Sequence, residues 1–205
     1  LPPERGGEPV RDLFIDTMPS GEKPKGLFHK KTEKQITFGK DIMNAVFSPD
    51  GKTFAGAQRD VDKFRLILTD TSGKILKTLY PVDTTKNDLF FIYTIDWSSD
   101  GSKIAFSYFD YKNRKVAIFD TTTKKCEIIC DTEHDERDPR FSPDSKHLYF
   151  SSDRTGIFNI YRYEFASGKL EQITNVTGGA FAPSISPDNK KLVYAGYAKE
   201  GYGIY

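Results

Sequence analysis

A turn sequence of five residues occurs four times in this chain of 205 residues, and the regular distance between its copies limits the possible folds more than any other feature. Consecutive copies begin 50, 44 and 44 residues apart. A period of about 40–45 residues that contains several short strands is typical of the blades of a β-propeller. Hairpin turns in a β-sandwich would not recur at a fixed distance. The copies occupy residues 47–51, 97–101, 141–145 and 185–189.

The repeated sequence has the composition of a tight turn between two strands. In the first copy Pro49 fixes its own φ, Asp50 can accept hydrogen bonds from the neighbouring backbone, and Gly51 tolerates a positive φ. The residue that begins each copy is apolar, and we expect it to anchor an inner strand between neighbouring blades. These residues are Phe47, Trp97, Phe141 and Ile185.

Each period holds four short strand patterns, and the aromatic content of 14% also favours strands. The sequence therefore predicts an all-β fold: a β-propeller of four-stranded antiparallel blades, three of them complete and two partial. The complete blades are predicted at 43–80, 93–130 and 138–174, and the partial ones at 11–37 and 181–205, in one domain or part of one over 1–205. Propellers close with 4–8 blades, so either the partial blades combine or, as we favour, the protein is longer.

Several segments of the third period carry a resemblance to a known family. They are the turn at 141–145, the sequence SSDRTG at 151–156, NIY at 159–161, SG at 167–168 and QIT at 172–174. Together they resemble the WD40-like repeat of the TolB family. The resemblance covers nearly the whole chain. It is strongest over 137–194 and weakest in the first 30 residues and around Trp97, where Ser99 stands in place of the usual proline.

The resemblance implies a bacterial propeller, periplasmic or secreted, that binds another protein or peptide. TolB itself combines its propeller with a separate α/β domain, and nothing in this sequence resembles that domain. Similar blades also cover the hydrolase domain of prolyl-oligopeptidase-type peptidases, so further domains of the same polypeptide are an alternative partner. The resemblance further implies that Asp153 and Arg154 make structural bonds to neighbouring turns.

Charge and hydropathy exclude two classes of partner. Lysine and arginine (30) nearly balance aspartate and glutamate (29), and the net charge of +1 offers no general attraction for nucleic acid or an anionic membrane surface. No apolar run approaches the 18 residues that a membrane span requires. Cys126 and Cys130 would lie about 13 Å apart on a strand, beyond the reach of a disulfide, so we predict two free thiols.

Motifs that carry catalytic chemistry are missing from the sequence. It contains no Gly-x-Ser-x-Gly, no His-Glu-x-x-His and no Cys-x-x-Cys-His. The stretch 131–138 has five carboxylates and His134, which could hold calcium through oxygen ligands. Its spacing matches no EF-hand loop, and a solvated connection between blades is the preferred interpretation. We therefore predict no catalytic residue, no metal and no cofactor.

The remaining candidate site is the rim of the central channel, where inner strands begin. The predicted strand starts combine aromatic and charged side chains, which suits the binding of a peptide or protein. We predict a non-catalytic binding or scaffold module; the alternative is the access-gating propeller of a larger peptidase. A sugar-binding or enzymatic propeller would instead repeat carboxylates or histidines in each blade, which this sequence does not. The candidate partner-binding residues are Asn44, Tyr93, Arg137, Asp138 and Phe181.

Overall fold

The computed structural model of the chain describes residues 11–16, 34–60, 63–81, 91–199 and 201–205. The predicted all-β fold class is confirmed, because these ranges form five antiparallel sheets, three of which have four strands. No helix in these ranges is long and apolar enough to cross a membrane. Much of the predicted partial blade 11–37 lies outside the described residues, as do residues 82–90 between the first two complete blades.

The strands of each complete blade follow one another across the sheet in chain order. Blade 1 contains β3 (Ile42–Phe47), β4 (Thr53–Asp60), β5 (Lys63–Asp70) and β6 (Ile75–Tyr80). Blade 2 contains β7 (Phe91–Trp97), β8 (Lys103–Phe109), β9 (Arg114–Asp120) and β10 (Cys126–Ile128). Blade 3 contains β11 (Glu136–Phe141), β12 (His147–Ser152), β13 (Asn159–Glu164) and β14 (Leu170–Gln172). The N-terminal partial blade has β1 (Phe14–Ile15) and β2 (Lys34–Gln35), and the C-terminal one has β15 (Ala180–Ile185), β16 (Leu192–Ala198) and β17 (Gly201–Ile204).

The hydrophobic core lies in layers between adjacent blades. The inner strands β3, β7, β11 and β15 contact one another in chain order. Side chains of β8 alternate between the two layers: Ile104 and Phe106 pack with residues of blade 1, whereas Ala105 packs with residues of blade 3. Both faces of blade 2 are therefore buried, and this explains why β8 has an almost continuous apolar sequence instead of an alternating one.

One hydrogen-bond pattern forms the repeated turn in all four copies. The serine hydroxyl donates to the aspartate two residues later and accepts from the backbone N–H five residues later. The bond from Ser98 lowers the pKa of Asp100 to about 2. The fifth residue of the turn has a positive φ in every copy, including the two copies in which Ser145 and Asn189 replace glycine.

Hydrogen bonds identify the strands of the N-terminal partial blade as counterparts of β13 and β14. The Gln35 side chain donates to the carbonyl of Thr37 at 2.9 Å, and Gln172 donates to Thr174 at 2.7 Å. The hydroxyl of Thr37 donates to Asp12 at 3.0 Å, and that of Thr174 donates to Asn159 at the same distance. The described strands β1 and β2 thus occupy the two outer positions of a blade.

The two cysteines carry free thiols, which confirms the expectation that they form no disulfide. Burial raises the pKa of both thiols, and the pKa of Cys126 reaches about 12. Because the thiolate is the nucleophilic form of cysteine, burial disfavours the reactive form of both residues, which pack between the blades.

Gly73, in the turn between β5 and β6, lies against the N-terminal partial blade. Its φ is +83°, and a Cβ atom at this position would lie 1.9 Å from the carbonyl oxygen of Ile36. Gly51 also has a positive φ, but no heavy atom lies within 4 Å of its Cβ position. A side chain is strained by about 1–2 kcal/mol at either position, yet only at Gly73 must a neighbouring backbone also move.

We expect Gly73→Ala to lower the free energy of unfolding by clearly more than Gly51→Ala, as measured by chemical denaturation. The Gly51→Ala variant reports the strain of a positive φ alone, so the difference between the variants reports the contact with Ile36. Equal losses would contradict a close contact between blade 1 and the partial blade.

Candidate functional site

The predicted site residues share one edge of the sheets. Because antiparallel strands alternate in direction, the first and third strands of every blade begin at the same edge. We call the surface at this edge the loop face, since the described connections between blades also lie there. The opposite surface, with the repeated turns, is the turn face. Each predicted site residue lies within the first three residues of an inner strand, at the loop face. They are Asn44 on β3, Tyr93 on β7, Arg137 and Asp138 on β11, and Phe181 on β15.

Asn44 and Asp138 occupy a β-bulge that recurs in the inner strands and gives both residues a φ of 54°. The Asn44 side chain donates to the carbonyl of Ile92 in the next blade at 3.0 Å. Asp138 accepts hydrogen bonds from Thr94 in blade 2 and from the backbone of Ala182 in the C-terminal partial blade, both at 3.3 Å. The bulges therefore aim these side chains sideways, and the side chains tie the inner strands together.

The ring of Tyr93 stacks against the guanidinium of Arg114, a residue that is not among the predicted site residues. The guanidinium carbon of Arg114, at the start of β9, lies 3.9 Å from the centre of the Tyr93 ring. Tyr93 also packs against Phe91, with ring centres 4.4 Å apart. A guanidinium stacked on an aromatic ring keeps its N–H edge available for a further partner.

Arg137 and Phe181 both contact Phe158, the residue directly before β13 in blade 3. The guanidinium carbon of Arg137 lies 4.4 Å from the centre of the Phe158 ring, and its Nε donates to Asp135 at 3.0 Å. The rings of Phe158 and Phe181 are 5.0 Å apart, and Phe181 lies 6.3 Å from Tyr202. A row of stacked aromatic and arginine side chains thus extends along the loop face from blade 3 into the C-terminal partial blade.

These contacts repeat with the same period as the turns. An inner-strand residue and a residue 21 positions later contact each other in blades 2 and 3 and in the C-terminal partial blade. The inner-strand positions are those already predicted, and their partners share a fixed offset of 21 residues, which becomes a usable signal once one of the contacts is known. The pairs are Tyr93 with Arg114, Arg137 with Phe158, and Phe181 with Tyr202. We call these six residues the loop-face belt.

A cleft of about 380 Å³ opens in the loop-face belt between blades 2 and 3. Two guanidiniums, Arg114 and Arg137, line this junction, whereas the rings of Phe158 and Phe181 are in contact at the next one. The cleft combines aromatic and charged walls. Its lining residues are Tyr93, Phe109, Lys112, Asn113, Arg114, Glu133, Asp135, Arg137 and Asp153.

Four of the five carboxylates in the stretch 131–138 bind different partners instead of a common one. Asp131 lies 3.1 Å from the ammonium of Lys115, and Asp135 pairs with Arg137. Within the ranges that the structure describes, no three side chains of His, Cys, Asp or Glu are close enough together to hold a metal ion. The stretch is not uniformly solvated, because Glu136 is fully buried.

Asp153 and Arg154 bind groups of the fold. Asp153 accepts a hydrogen bond from the backbone of Asp135 at 2.9 Å. Arg154 donates to the buried carboxylate of Glu136 at 2.7 Å and stacks on Tyr161, with 4.7 Å between its guanidinium carbon and the ring centre. These bonds join the turn after β12 to the start of β11.

Comparisons with known proteins relate the sequence to other propellers. An uncharacterized protein of Agrobacterium fabrum is 29% identical over 156 residues, which are 73% of this chain and 49% of that protein. The Tol-Pal system protein TolB of Francisella tularensis is 34% identical over 68 residues, which are 33% of this chain and 16% of TolB. The chain thus spans about half the length, or less, of these curated relatives.

Two further comparisons concern a peptidase and a solved structure. The uncharacterized peptidase YuxL of Bacillus subtilis is 38% identical over 130 residues, which are 58% of this chain and 20% of the peptidase. The crystal structure of TolB from Acinetobacter baumannii has the same fold, with a TM-score of 0.67 at 21% identity over 85% of this chain and 43% of that one.

The family model of the TolB β-propeller domain matches residues 82–204. Because this match covers more than half of the sequence, the chain belongs to the TolB β-propeller domain family.

Proposed function

We propose that this chain is a non-catalytic β-propeller module that binds another protein through its loop face. The loop-face belt carries this proposal. Tyrosine and arginine are among the residue types that contribute most to binding energy at protein interfaces, and phenylalanine is enriched there. Here they are held against one another by stacking, so little side-chain entropy remains to be lost when a partner binds.

The proposed contact residues are Tyr93, Arg137 and Phe181, with Asn44 and Asp138 at the inner edge of the same surface. Asn44 and Asp138 bond neighbouring blades, so they also fix the relative positions of the belt residues. A partner that spans several blades would contact side chains whose spacing is set by the sheets. This arrangement suits a folded protein or an extended peptide.

We place this function in the bacterial cell envelope, in the periplasm or as a secreted module. The support is the relative from Francisella tularensis, which is a protein of the Tol-Pal system, together with membership of the TolB β-propeller domain family. The partner is proposed to be a protein and not nucleic acid, because the net charge of +1 provides no general attraction for a polyanion.

A second candidate function is that of a propeller that belongs to a peptidase, in which the partner is a hydrolase domain of the same polypeptide. The similarity to YuxL supports this candidate. The two functions are distinguished by isolating the native protein, measuring its intact mass and treating it with a fluorophosphonate probe for serine hydrolases. A mass far above 23.3 kDa with labelling supports the peptidase. A native protein of any mass that is not labelled supports the binding module.

The binding function is tested by photo-crosslinking from defined positions. A benzoylphenylalanine in place of Tyr93 keeps a ring on the loop face, and one in place of the exposed Thr122 marks the turn face. We expect an adduct with an envelope protein from position 93 but not from position 122, and excess unmodified protein should suppress it. Equal labelling from both positions would contradict a loop-face interface.

Alanine substitutions then measure the contribution of the belt to binding of the crosslinked partner. We expect Tyr93→Ala and Arg137→Ala each to weaken binding about 10–30-fold, as anchor residues of interfaces do. Thr122→Ala serves as the control and should leave the affinity unchanged. If Tyr93→Ala binds the partner as tightly as the unmodified protein, the proposed site is wrong.

A further inference from the structure

The cleft between blades 2 and 3 interrupts the loop-face belt at a position that is lined by arginine side chains from both blades. Arg114 and Arg137 line it together with the exposed Lys112. Three carboxylates line it as well, from Glu133, Asp135 and Asp153. Which of these charges are available to a ligand depends on the bonds they already make.

Two of the three carboxylates are engaged within the protein. Asp135 accepts hydrogen bonds from the side chain of Arg137 and from the backbone N–H of Arg114, the latter at 2.6 Å. Asp153 accepts from the backbone N–H of Asp135 at 2.9 Å and lies 3.7 Å from the ring of His134. These contacts also occupy Arg137, whose guanidinium is paired with Asp135.

Arg114 differs from Arg137 in having no such counter-ion. Its guanidinium stacks on Tyr93, and no carboxylate of the residues described lies within ion-pair distance of it. Stacking covers the flat face of the guanidinium but leaves its N–H edge, which donates in the fork geometry that matches a carboxylate. Arg114 is therefore a fixed donor at the wall of an open cleft.

We propose that this cleft binds the carboxylate of a glutamate or aspartate side chain in the partner, with Arg114 as the residue that contacts it. This inference rests on the proposed function and names the chemistry of one contact. The rings of Tyr93 and Phe109 suit an apolar residue next to the acidic one. A volume of about 380 Å³ admits one or two side chains.

A phosphate group is a poorer occupant than a carboxylate. It carries a charge of about −1.5 to −2 at neutral pH, whereas a carboxylate carries a single negative charge. The exposed carboxylate of Glu133 and the engaged ones of Asp135 and Asp153 would repel the more highly charged group more strongly. Of the three cations at the cleft, Arg137 is paired with Asp135 and the exposed Lys112 is screened by water. Arg114 therefore supplies the fixed charge that balances a ligand, and a single charge balances a monoanion.

The test uses NMR titration of the isotope-labelled protein with two capped peptides, acetyl-Ala-Glu-Phe-Ala-amide and its matched glutamine version. We expect the glutamate peptide to shift the amide signals of Tyr93 and Arg114 and to bind at least fivefold more tightly than the glutamine peptide. Arg114→Gln should abolish this preference, and Arg114→Lys should retain part of it. Lys77→Gln removes the same charge from an exposed site on the outer strand of blade 1 and should have no effect.

The outcomes separate this inference from the proposed function. Equal binding of both peptides, weakened by Tyr93→Ala, overturns the carboxylate site but supports a peptide-binding loop face. Absence of binding by either peptide, with crosslinking from position 93 preserved, overturns the carboxylate site alone. Inorganic phosphate that binds as tightly as the glutamate peptide and depends on Arg114 would overturn it too, in favour of a general anion site.

Discussion

Replacing Glu136 with alanine is expected to lower the free energy of unfolding by about 3–5 kcal/mol, as measured by chemical denaturation. The Glu136 side chain is fully buried, and Arg154 donates to it at 2.7 Å. Burial raises the pKa of Glu136, and the positive charge of Arg154 offsets part of that increase. Removing the carboxylate leaves the partly buried guanidinium of Arg154 without its counter-ion. The free energy lost is therefore larger than the net stabilisation that the intact ion pair provides.

The same blade provides a matched control for this substitution. Arg162 and Glu171 also form an ion pair, at 2.5 Å, but their side chains are 36% and 41% exposed. Water and salt screen such a pair, so Glu171→Ala should change the stability far less than Glu136→Ala. Losses of similar size from the two variants would show that burial does not set the cost.

The repeat suggests how the lost stability can be recovered. The positions that correspond to Glu136 in the other blades are Ile42, Ile92 and Ala180, all of them apolar and buried. Replacing a buried ion pair as a whole by apolar residues is often neutral or stabilising. We therefore expect the double variant Glu136→Ile with Arg154→Met to be more stable than Glu136→Ala alone.

Much of the fold could be predicted because the information is local and repeats. The turn sequence sets its own hydrogen bonds, as the bond from Ser98 to Asp100 illustrates, and four copies at a nearly fixed distance leave few architectures. Glu136 could not be placed in this way. It lies in a run of five carboxylates that resembles a solvated connection, and its partner Arg154 comes from a turn 18 residues later.

Only the inner-strand residues of the candidate site could be predicted from the sequence, because only their positions follow from the local repeat. The starts of the inner strands follow from the repeat, which was enough to select Tyr93 and Arg137. Arg114 on β9 contacts Tyr93 on β7 across the one intervening strand of the blade, and their contact lies at the β-bulge between Ile92 and Thr94. A bulge shifts the register of one strand by a residue, and turn sequences do not reveal such a shift.

The second large effect is expected at Phe106 and Phe150, which lie 44 residues apart and occupy the same position in blades 2 and 3. Both side chains are fully buried, Phe106 in the layer between blades 1 and 2 and Phe150 in the layer between blades 2 and 3. Substitution of either residue by alanine removes most of a buried ring and leaves a cavity. We expect each to cost about 3–5 kcal/mol in chemical denaturation.

The two layers also test whether the blades unfold as one unit. Because two alanine substitutions together would approach the whole stability of a typical domain, about 5–15 kcal/mol, the double variant is better made with leucine.

The two layers share blade 2, where Phe106 faces one layer and its neighbour Ala105 faces the other. If unfolding is a single transition and the rings have no common neighbours, the losses from Phe106→Leu and Phe150→Leu should add to within about 0.5 kcal/mol. A double variant that loses clearly less than the sum would mean that the first substitution already loosens blade 2, so that the layers are coupled through the strand they share.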